Sequence, residues 1–154
     1  MTEEFRNPSG GRIQRGCPIS FQFNGRRYTG FLGDTLASAL IANGVSVVGR
    51  SQKYHRPRGI MSAGLEETNA FVQLAGNDDE PNRLATTLPI HDGLVAHSVN
   101  ATPSADFDVA SLLGFFHRFI PAGFYYKTFM WPRDKWDWYG RRIRKIAGWG
   151  TAPA

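Results

Sequence analysis

The chain has 154 residues, 42% hydrophobic and 20% charged, so it carries enough apolar side chains for a folded core and is not a disordered polymer. Its formal net charge of +5 favours an anionic partner such as nucleic acid, a membrane surface, a phosphate-bearing cofactor or an acidic protein. A single cysteine excludes an internal disulfide and a cage of thiolate ligands. Its start lacks a signal peptide, and no uninterrupted apolar run reaches the roughly 18 residues that span a bilayer, so we expect a cytoplasmic protein.

The first predicted element is a β-hairpin, which follows a flexible lead over residues 1–16. Between residues 19 and 23, apolar side chains alternate with polar ones, which is the period of a half-buried strand. Asn24-Gly25 is the strongest short signal for a type I′ turn. Residues 26–32, with aromatic and β-branched side chains, then supply the return strand.

A helix is predicted directly after the hairpin. Asp34 or Thr35 is suited to accept a hydrogen bond from the first free backbone amides of that helix. The apolar residues at spacings of three and four are Leu36, Ala39 and Leu40. Asn43-Gly44 is a natural end, because glycine adopts the left-handed conformation that closes a helix.

The middle of the chain is predicted to hold further strands and one long loop. Residues 45–48 resemble a short strand, and residues 49–64 have no clean period and are predicted to form a long ordered loop. A strand over 70–75 is ended by an acidic turn at 76–81. One more strand is expected within 88–98.

The order of these elements is typical of a β-grasp domain, an α+β arrangement in which one helix lies across a small mixed sheet. We predict that this domain spans residues 17–103. A helical extension rich in aromatic and basic residues is predicted over 104–148. Residues 149–154, rich in glycine and proline, are expected to be a truncated linker.

Within this extension, the stretch from Phe115 to Tyr139 alone holds 11 of the 20 aromatic residues. Helical spacing predicts one helix beginning near Asp106 or Asp108, with Val109, Leu112, Leu113 and Phe116 on one face, and a second that starts at Pro132. So many rings exceed what a small domain buries easily, and aromatics with arginine are enriched at interfaces. We therefore predict a docking segment; a local core of two helices is the alternative. The predicted interface residues are Phe124, Tyr125, Tyr126, Phe129, Trp131 and Trp136.

The long loop contains a basic run from Arg50 to Gly59. Arginine forks suit phosphate or carboxylate groups, and a tyrosine ring is able to stack on a base. Contact with an anion or a cofactor is therefore the functional hypothesis; a solvated loop, or one held by carboxylates of the same chain, is the alternative. The candidate cofactor-binding residues are Arg50, Lys53, His55, Arg56 and Arg58.

The sequence predicts no catalytic residue and no metal site. The four histidines are dispersed and have no cysteine or acidic companion at ligand spacing. Cys17 has no recognisable partner base. The chain also contains neither a G-x-G-x-x-G motif nor a G-x-x-x-x-G-K-[ST] motif, so it carries no fingerprint for nucleotide phosphates.

Two long and unusual motifs carry a resemblance to a known family: Lys53-Tyr54-His55-Arg56-Pro57-Arg58-Gly59 and Pro121-Ala122-Gly123-Phe124-Tyr125-Tyr126-Lys127-Thr128-Phe129-Met130-Trp131-Pro132. With Gly33-Asp34-Thr35-Leu36-Ala37-Ser38-Ala39-Leu40, they resemble the start of the α subunit of heterotetrameric sarcosine oxidase. That region is similar to ferredoxin-type [2Fe-2S] domains, which hold the cluster with four cysteine thiolates from the loop after the helix. Here that loop, residues 49–64, contains no cysteine, so the resemblance implies the fold without the cluster.

The resemblance also implies a larger assembly. Such enzymes oxidatively demethylate sarcosine to glycine, hydrogen peroxide and a one-carbon unit that passes to tetrahydrofolate, and they use FAD, FMN and NAD. In the family a dinucleotide-binding domain follows this region, and flavin chemistry involves the β subunit. We therefore expect a fragment, split gene product or truncated subunit that binds no cofactor alone and has a structural and assembly role. Its expected partners are the remainder of the α subunit and the other subunits, with no nucleic acid and no membrane.

Three alternatives remain at this point. An electron-transfer module is disfavoured by the missing cysteines. A small RNA-binding module would use the basic loop and the aromatics, but no standard recognition motif is present. A peripheral membrane protein would use the basic helix over 133–147, which has no lipid anchor. The amine that the full complex oxidises also stays open, because dimethylglycine-type and opine-type relatives share the architecture.

Overall fold

The structure is a computed structural model that describes residues 5–51, 54–75, 82–101, 104–116 and 135–146. The elements of these ranges are strands β1 (Gln14–Phe23) and β2 (Arg26–Leu32), helix α1 (Leu36–Ala42), strands β3 (Gly49–Arg50), β4 (Pro57–Arg58), β5 (Phe71–Leu74), β6 (Arg83–Leu84) and β7 (Val95–Ser98), and helix α2 (Trp136–Ile146). Two short 3-10 helices lie at Gly64–Glu66 and Val109–Gly114. In the described part of the chain, neither α-helix combines the length and the apolar character needed to cross a membrane.

Five strands form one mixed sheet in the order β2-β1-β7-β5-β6. Strand β1 pairs antiparallel with β2 and parallel with β7, and β5 pairs antiparallel with β7 and β6. Strands β3 and β4 form a separate two-stranded ribbon. A mixed sheet with a helix after its first hairpin confirms the predicted α+β, β-grasp fold class.

The hairpin turn follows from its two central residues. Phe23 pairs with Arg26, so Asn24 and Gly25 alone connect the strands. Both residues have positive φ, +50° and +77°, as a type I′ turn requires. The hairpin prediction is therefore confirmed, although β1 already begins at Gln14, inside the expected flexible lead.

Helix α1 has the predicted boundaries because both ends are satisfied by side chains. The hydroxyl of Thr35 accepts a 3.2 Å hydrogen bond from the amide of Ser38, and the Ser38 hydroxyl accepts one from the amide of Thr35 in return. At the other end, the Asn43 side chain donates to the carbonyls of Thr29 and Ala39, each at 2.8 Å. Gly44 follows with φ +76° and closes the helix.

The core lies between α1 and the sheet. Its largest fully buried apolar side chains are Phe21, Phe23, Leu36, Leu40, Val48 and Val72. Each such side chain contributes about 1.5–3 kcal/mol through its removal from water. This core fixes the hairpin, the helix and the central strands, so that the loops after α1 start from a rigid frame.

Two sequence predictions differ from the structure in this region. Residues 45–48 are not a strand, because the amide of Val45 donates to the carbonyl of Leu40 at the helix end and the ribbon pairing begins only at Gly49. The second difference is the helix expected near Asp106 or Asp108. Instead, a 3-10 helix spans Val109–Gly114, because the Asp108 carbonyl accepts both the amide of Ser111, at 3.1 Å, and its hydroxyl, at 2.6 Å.

Candidate functional site

The basic run of the long loop is folded inward at its first arginine. The Arg50 guanidinium donates to the carbonyl oxygens of Ala105, His55 and Asp106, at 2.8, 2.9 and 3.4 Å. The Asn100 amide in turn donates to the Arg50 carbonyl at 3.2 Å. Arg50 therefore joins its own loop to the segment after β7.

His55 is buried against a carboxylate. Its Nδ1 lies 2.7 Å from Oδ2 of Asp108, and both side chains are excluded from solvent. Ser51 turns the loop toward this position, because its carbonyl accepts the amide of His55 and its hydroxyl accepts the amide of Arg56, both at 3.0 Å. The turn gives His55 a φ of +50°, a conformation that costs a non-glycine residue free energy and that the surrounding bonds hold in place.

Asp108 completes what we call the Arg50–His55–Asp108 network. Its second carboxylate oxygen accepts the amide of Ala110 at 3.1 Å. A carboxylate beside Nδ1 favours a proton on that nitrogen of the imidazole. The network thus holds residues 50–51 and 54–56 to residues 105–111 through side chains and backbone groups.

The other described residues of the basic run face outward. Arg56 and Arg58 are exposed, and the Arg56 guanidinium lies 5.2 Å from the centre of the Tyr54 ring in a cation–π contact. Of the candidate cofactor-binding residues, the structure therefore places Arg50 and His55 in internal contacts and Arg56 and Arg58 at the surface. Lys53 lies outside the described residues, and cofactor contact by this run stays a prediction.

Glu67 is a buried carboxylate that the residue pattern did not single out as a site. It accepts hydrogen bonds from four backbone amides, those of Met61, Ser62, Asn69 and Ala70, at 2.6, 2.7, 2.6 and 3.3 Å. Burial of the carboxyl raises its pKa, but these amide donors outweigh burial and lower the pKa of Glu67 from 4.5 to about 2. The charged side chain therefore organises the loop between β4 and β5.

Asp34 joins the start of the described chain to α1. Its carboxylate accepts two bonds from the Arg6 guanidinium, at 3.1 and 2.8 Å, one from the Phe31 amide at 3.0 Å and one from the Ser38 hydroxyl at 2.7 Å. Burial raises the pKa of Asp34, but the hydrogen bonds and the charge of Arg6 outweigh it and lower the pKa. Arg6 lies in the segment expected to be a flexible lead, so sequence reasoning missed this pair.

The same segment borders a cleft of about 420 Å³ beside α1. Arg6 on its wall is bonded to Asp34, and Arg15 donates to the carbonyl oxygens of Asn7 and Gly10, at 3.1 and 2.9 Å. Both guanidinium groups thus form hydrogen bonds within the chain. The cleft lies along the contact between the amino-terminal segment and helix α1.

The predicted docking residues fall almost wholly outside the described residues. These are Phe124, Tyr125, Tyr126, Phe129 and Trp131. Trp136 opens helix α2 and is 49% exposed. The helix also carries Trp138, whose ring stacks under Arg142 at 5.2 Å, so its described face mixes aromatic and basic groups.

Comparison with known proteins defines first the class of domain. Residues 16–101 match the family described as a 2Fe-2S iron-sulfur cluster binding domain, which covers more than half of the chain. The match agrees with the β-grasp sheet. A solved structure of L-proline dehydrogenase from P. horikoshii is similar over 55% of this chain and 16% of that chain, with 21% identity and a TM-score of 0.45.

The curated relatives then give the particular family. The chain is 51% identical over 150 residues, 96% of its length, to the sarcosine oxidase subunit alpha of Rhizobium meliloti (strain 1021). It is 40% identical over 92 residues, 57% of its length, to the subunit of the same name from Corynebacterium sp. (strain U-96). The chain therefore belongs to the family of sarcosine oxidase α subunits, as the sequence resemblance predicted. It spans only 15% and 10% of the length of these two relatives.

The residues of this chain do not fit the cluster named in the domain family. A [2Fe-2S] cluster takes four cysteine thiolates, or two with two histidines in the Rieske type. The chain has one cysteine, Cys17, which is exposed on β1 and contacts the Gln14 side chain. Within the described ranges, no three His, Cys, Asp or Glu side chains converge to hold a metal ion. Arg50 and His55 instead hold the loop that follows the helix.

Proposed function

We propose that this chain is a non-catalytic, structural and assembly portion of a sarcosine oxidase α subunit. The complex would oxidatively demethylate sarcosine to glycine, with hydrogen peroxide and a one-carbon unit as the other products. Membership of the α-subunit family supports the assignment to that enzyme.

The observation that carries the proposal is how the loop after α1 is held. In ferredoxin-type domains this loop supplies thiolates to the cluster. Here the Arg50 guanidinium and the Glu67 carboxylate hold it through hydrogen bonds to backbone groups, and the His55 ring bonds the buried Asp108 carboxylate. A domain whose loop is ordered by such contacts supports a scaffold role and disfavours an electron-transfer module.

The cofactors and partners follow from the same proposal. FAD, FMN, NAD and tetrahydrofolate would be bound elsewhere in the full complex, which we place in the cytoplasm. The remainder of the α subunit and the other subunits would be the partners. The exposed charges of Arg56 and Arg58 would face a cofactor phosphate or fix an interdomain contact, and the aromatic segment from Phe124 to Trp136 would dock.

A chimeric subunit tests the assembly role. The stretch of the Rhizobium meliloti α subunit that this chain matches is replaced by the matching residues of this chain, and the chimera is expressed with the other subunits of that enzyme. We expect the chimera to assemble and oxidise sarcosine, and a subunit with the stretch deleted to fail to assemble. Normal assembly of the deleted subunit would contradict the proposal.

Metal analysis separates the scaffold from the electron-transfer alternative. The 154-residue chain is purified without oxygen, and its iron and acid-labile sulfide are measured, because a bound cluster contributes both. We expect neither in stoichiometric amount. Two irons and two sulfides per chain would favour the electron-transfer module instead.

A further inference from the structure

The 3-10 helix at Val109–Gly114 presents a row of apolar side chains to solvent. A 3-10 helix has three residues per turn, so side chains three apart lie directly above one another. Val109, Leu112 and Phe115 have this spacing, and they are 55%, 62% and 87% exposed. The amide of Phe115 donates to the carbonyl of Leu112 at 3.0 Å, so the same turn continues to Phe115. We call these three residues the apolar ridge.

The backbone beneath the apolar ridge is held from inside the domain. Asp108, immediately before the helix, bonds the buried His55, and Arg50 bonds the carbonyls of Ala105 and Asp106. These contacts do not bury the ridge. A surface whose backbone is already fixed loses less conformational entropy when a partner binds it. The ridge is therefore preorganised for contact.

An exposed arginine lies next to one end of the apolar ridge, through its contact with Tyr54. Gly114 lies against the carbonyl of Tyr54, with 3.5 Å between that oxygen and the position a β-carbon would take. The exposed Arg56 guanidinium stacks on the Tyr54 ring. A complementary partner therefore has an apolar centre and carboxylates at its rim. A second copy of this chain would instead bring another basic loop, on a chain whose net charge is +5.

We propose that the apolar ridge docks onto an apolar, acid-rimmed face of the α-subunit polypeptide that lies outside this chain. The inference rests on the proposed function. The Rhizobium meliloti relative is matched over only 15% of its length, so most of that subunit is available to supply the face. Exposed apolar side chains in a row mark interaction sites when the surrounding surface is polar.

Hydroxyl-radical footprinting measures the burial of the ridge directly. Side-chain oxidation of Leu112 and Phe115 is compared between the 154-residue chain and the purified chimeric α subunit without other subunits. We expect labelling of both residues to fall at least several-fold in the chimera. Met61 and Leu65, which are more exposed than Leu112 and lie in the loop before β5, are the matched controls and should keep their labelling.

A pair of variants tests whether the contact holds the domain in place. Leu112→Ser with Phe115→Ser in the chimera should speed proteolytic release of the domain on the order of ten-fold or more, because central apolar contacts dominate interfaces. Met61→Ser with Leu65→Ser should leave the rate unchanged. If the double variant misfolds, the single Phe115→Ser variant, at the most exposed position of the ridge, replaces it in the test.

The outcomes separate the two proposals. If the chimera assembles with the other subunits but the ridge is labelled as strongly as in the isolated chain, the docking inference is wrong and the assembly role stands. Protection that appears only after other subunits are added, or only in a dimer of the 154-residue chain, also overturns the inference. If the chimera does not assemble at all, the proposed function itself fails.

Discussion

The hairpin and α1 differ from the loops between residues 49 and 70 in what keeps them ordered. In the hairpin and helix, apolar side chains such as Phe21 and Leu40 are removed from water. In the loops, the buried groups include His55 and Glu67, whose bonds go to another side chain or to backbone amides. The difference indicates that a β-grasp loop without cluster ligands is ordered when charged side chains form hydrogen bonds to its backbone amides and carbonyls.

The apolar core between α1 and the sheet predicts the largest effect on the free energy of unfolding. Leu40→Ala should lower the free energy of unfolding by about 2–5 kcal/mol, because it leaves a cavity between α1 and the sheet. Ile41→Ala, at the half-exposed neighbouring position, should cost under about 1 kcal/mol. Urea unfolding followed by circular dichroism measures both. Equal losses would mean that α1 does not pack as described.

The Glu67 carboxylate predicts an acid-dependent loss of stability. Its folded pKa of about 2 lies below its ordinary value of 4.5, so its contribution is fully present above pH 4.5 and is lost as the pH falls toward 2. Urea unfolding measured across this range should show the decline.

Glu67→Gln isolates that contribution. The variant should be less stable than the wild type at neutral pH, and its stability should fall less on acidification, with a remaining decline from Asp34, whose pKa is also lowered. Glu66→Gln, at the adjacent exposed position, should retain the wild-type profile. A Glu67→Gln profile parallel to the wild type would show that the amide donors do not stabilise the charge.

The buried His55–Asp108 pair predicts a smaller effect. Asp108→Asn keeps the size of the side chain but weakens its bonds to His55 and Ala110, and should cost about 1–3 kcal/mol. Asp106→Asn is the matched control, because Asp106 is exposed and lies 4.0 Å from Arg26; it should cost less than about 1 kcal/mol. Thermal unfolding in one buffer distinguishes them. Equal melting temperatures would contradict a structural role for the pair.

Local patterns predicted the apolar region well. Alternation and Asn24-Gly25 define the hairpin, and the spacing of Leu36 and Leu40 defines the helix, because each signal lies within a few residues of the element it forms. The strand expected over 45–48 was wrong, because its pairing partner, β4, lies further along the chain and its register begins at Gly49, with only one backbone bond from Val48 to Arg58 before it. Strand pairing of this kind is not encoded locally.

The polar contacts were not predictable from spacing. His55 bonds Asp108, which lies more than fifty residues further along the chain. Glu67 bonds backbone amides, and since every residue except proline has one, no residue type marks these partners in the sequence. The apolar ridge was missed for a related reason. An α-helical period places Val109, Leu112, Leu113 and Phe116 on one face, whereas the hydrogen bonds of Ser111 to Asp108 give a 3-10 period and align Phe115 instead.

Amide hydrogen exchange tests most directly whether a charged side chain orders the loop. In the wild type, the amides of Met61, Ser62, Asn69 and Ala70 should be protected. In Glu67→Gln, their exchange should accelerate on the order of ten-fold or more, relative to the change at the α1 amide of Ala39. Unchanged protection of the four loop amides would contradict the account.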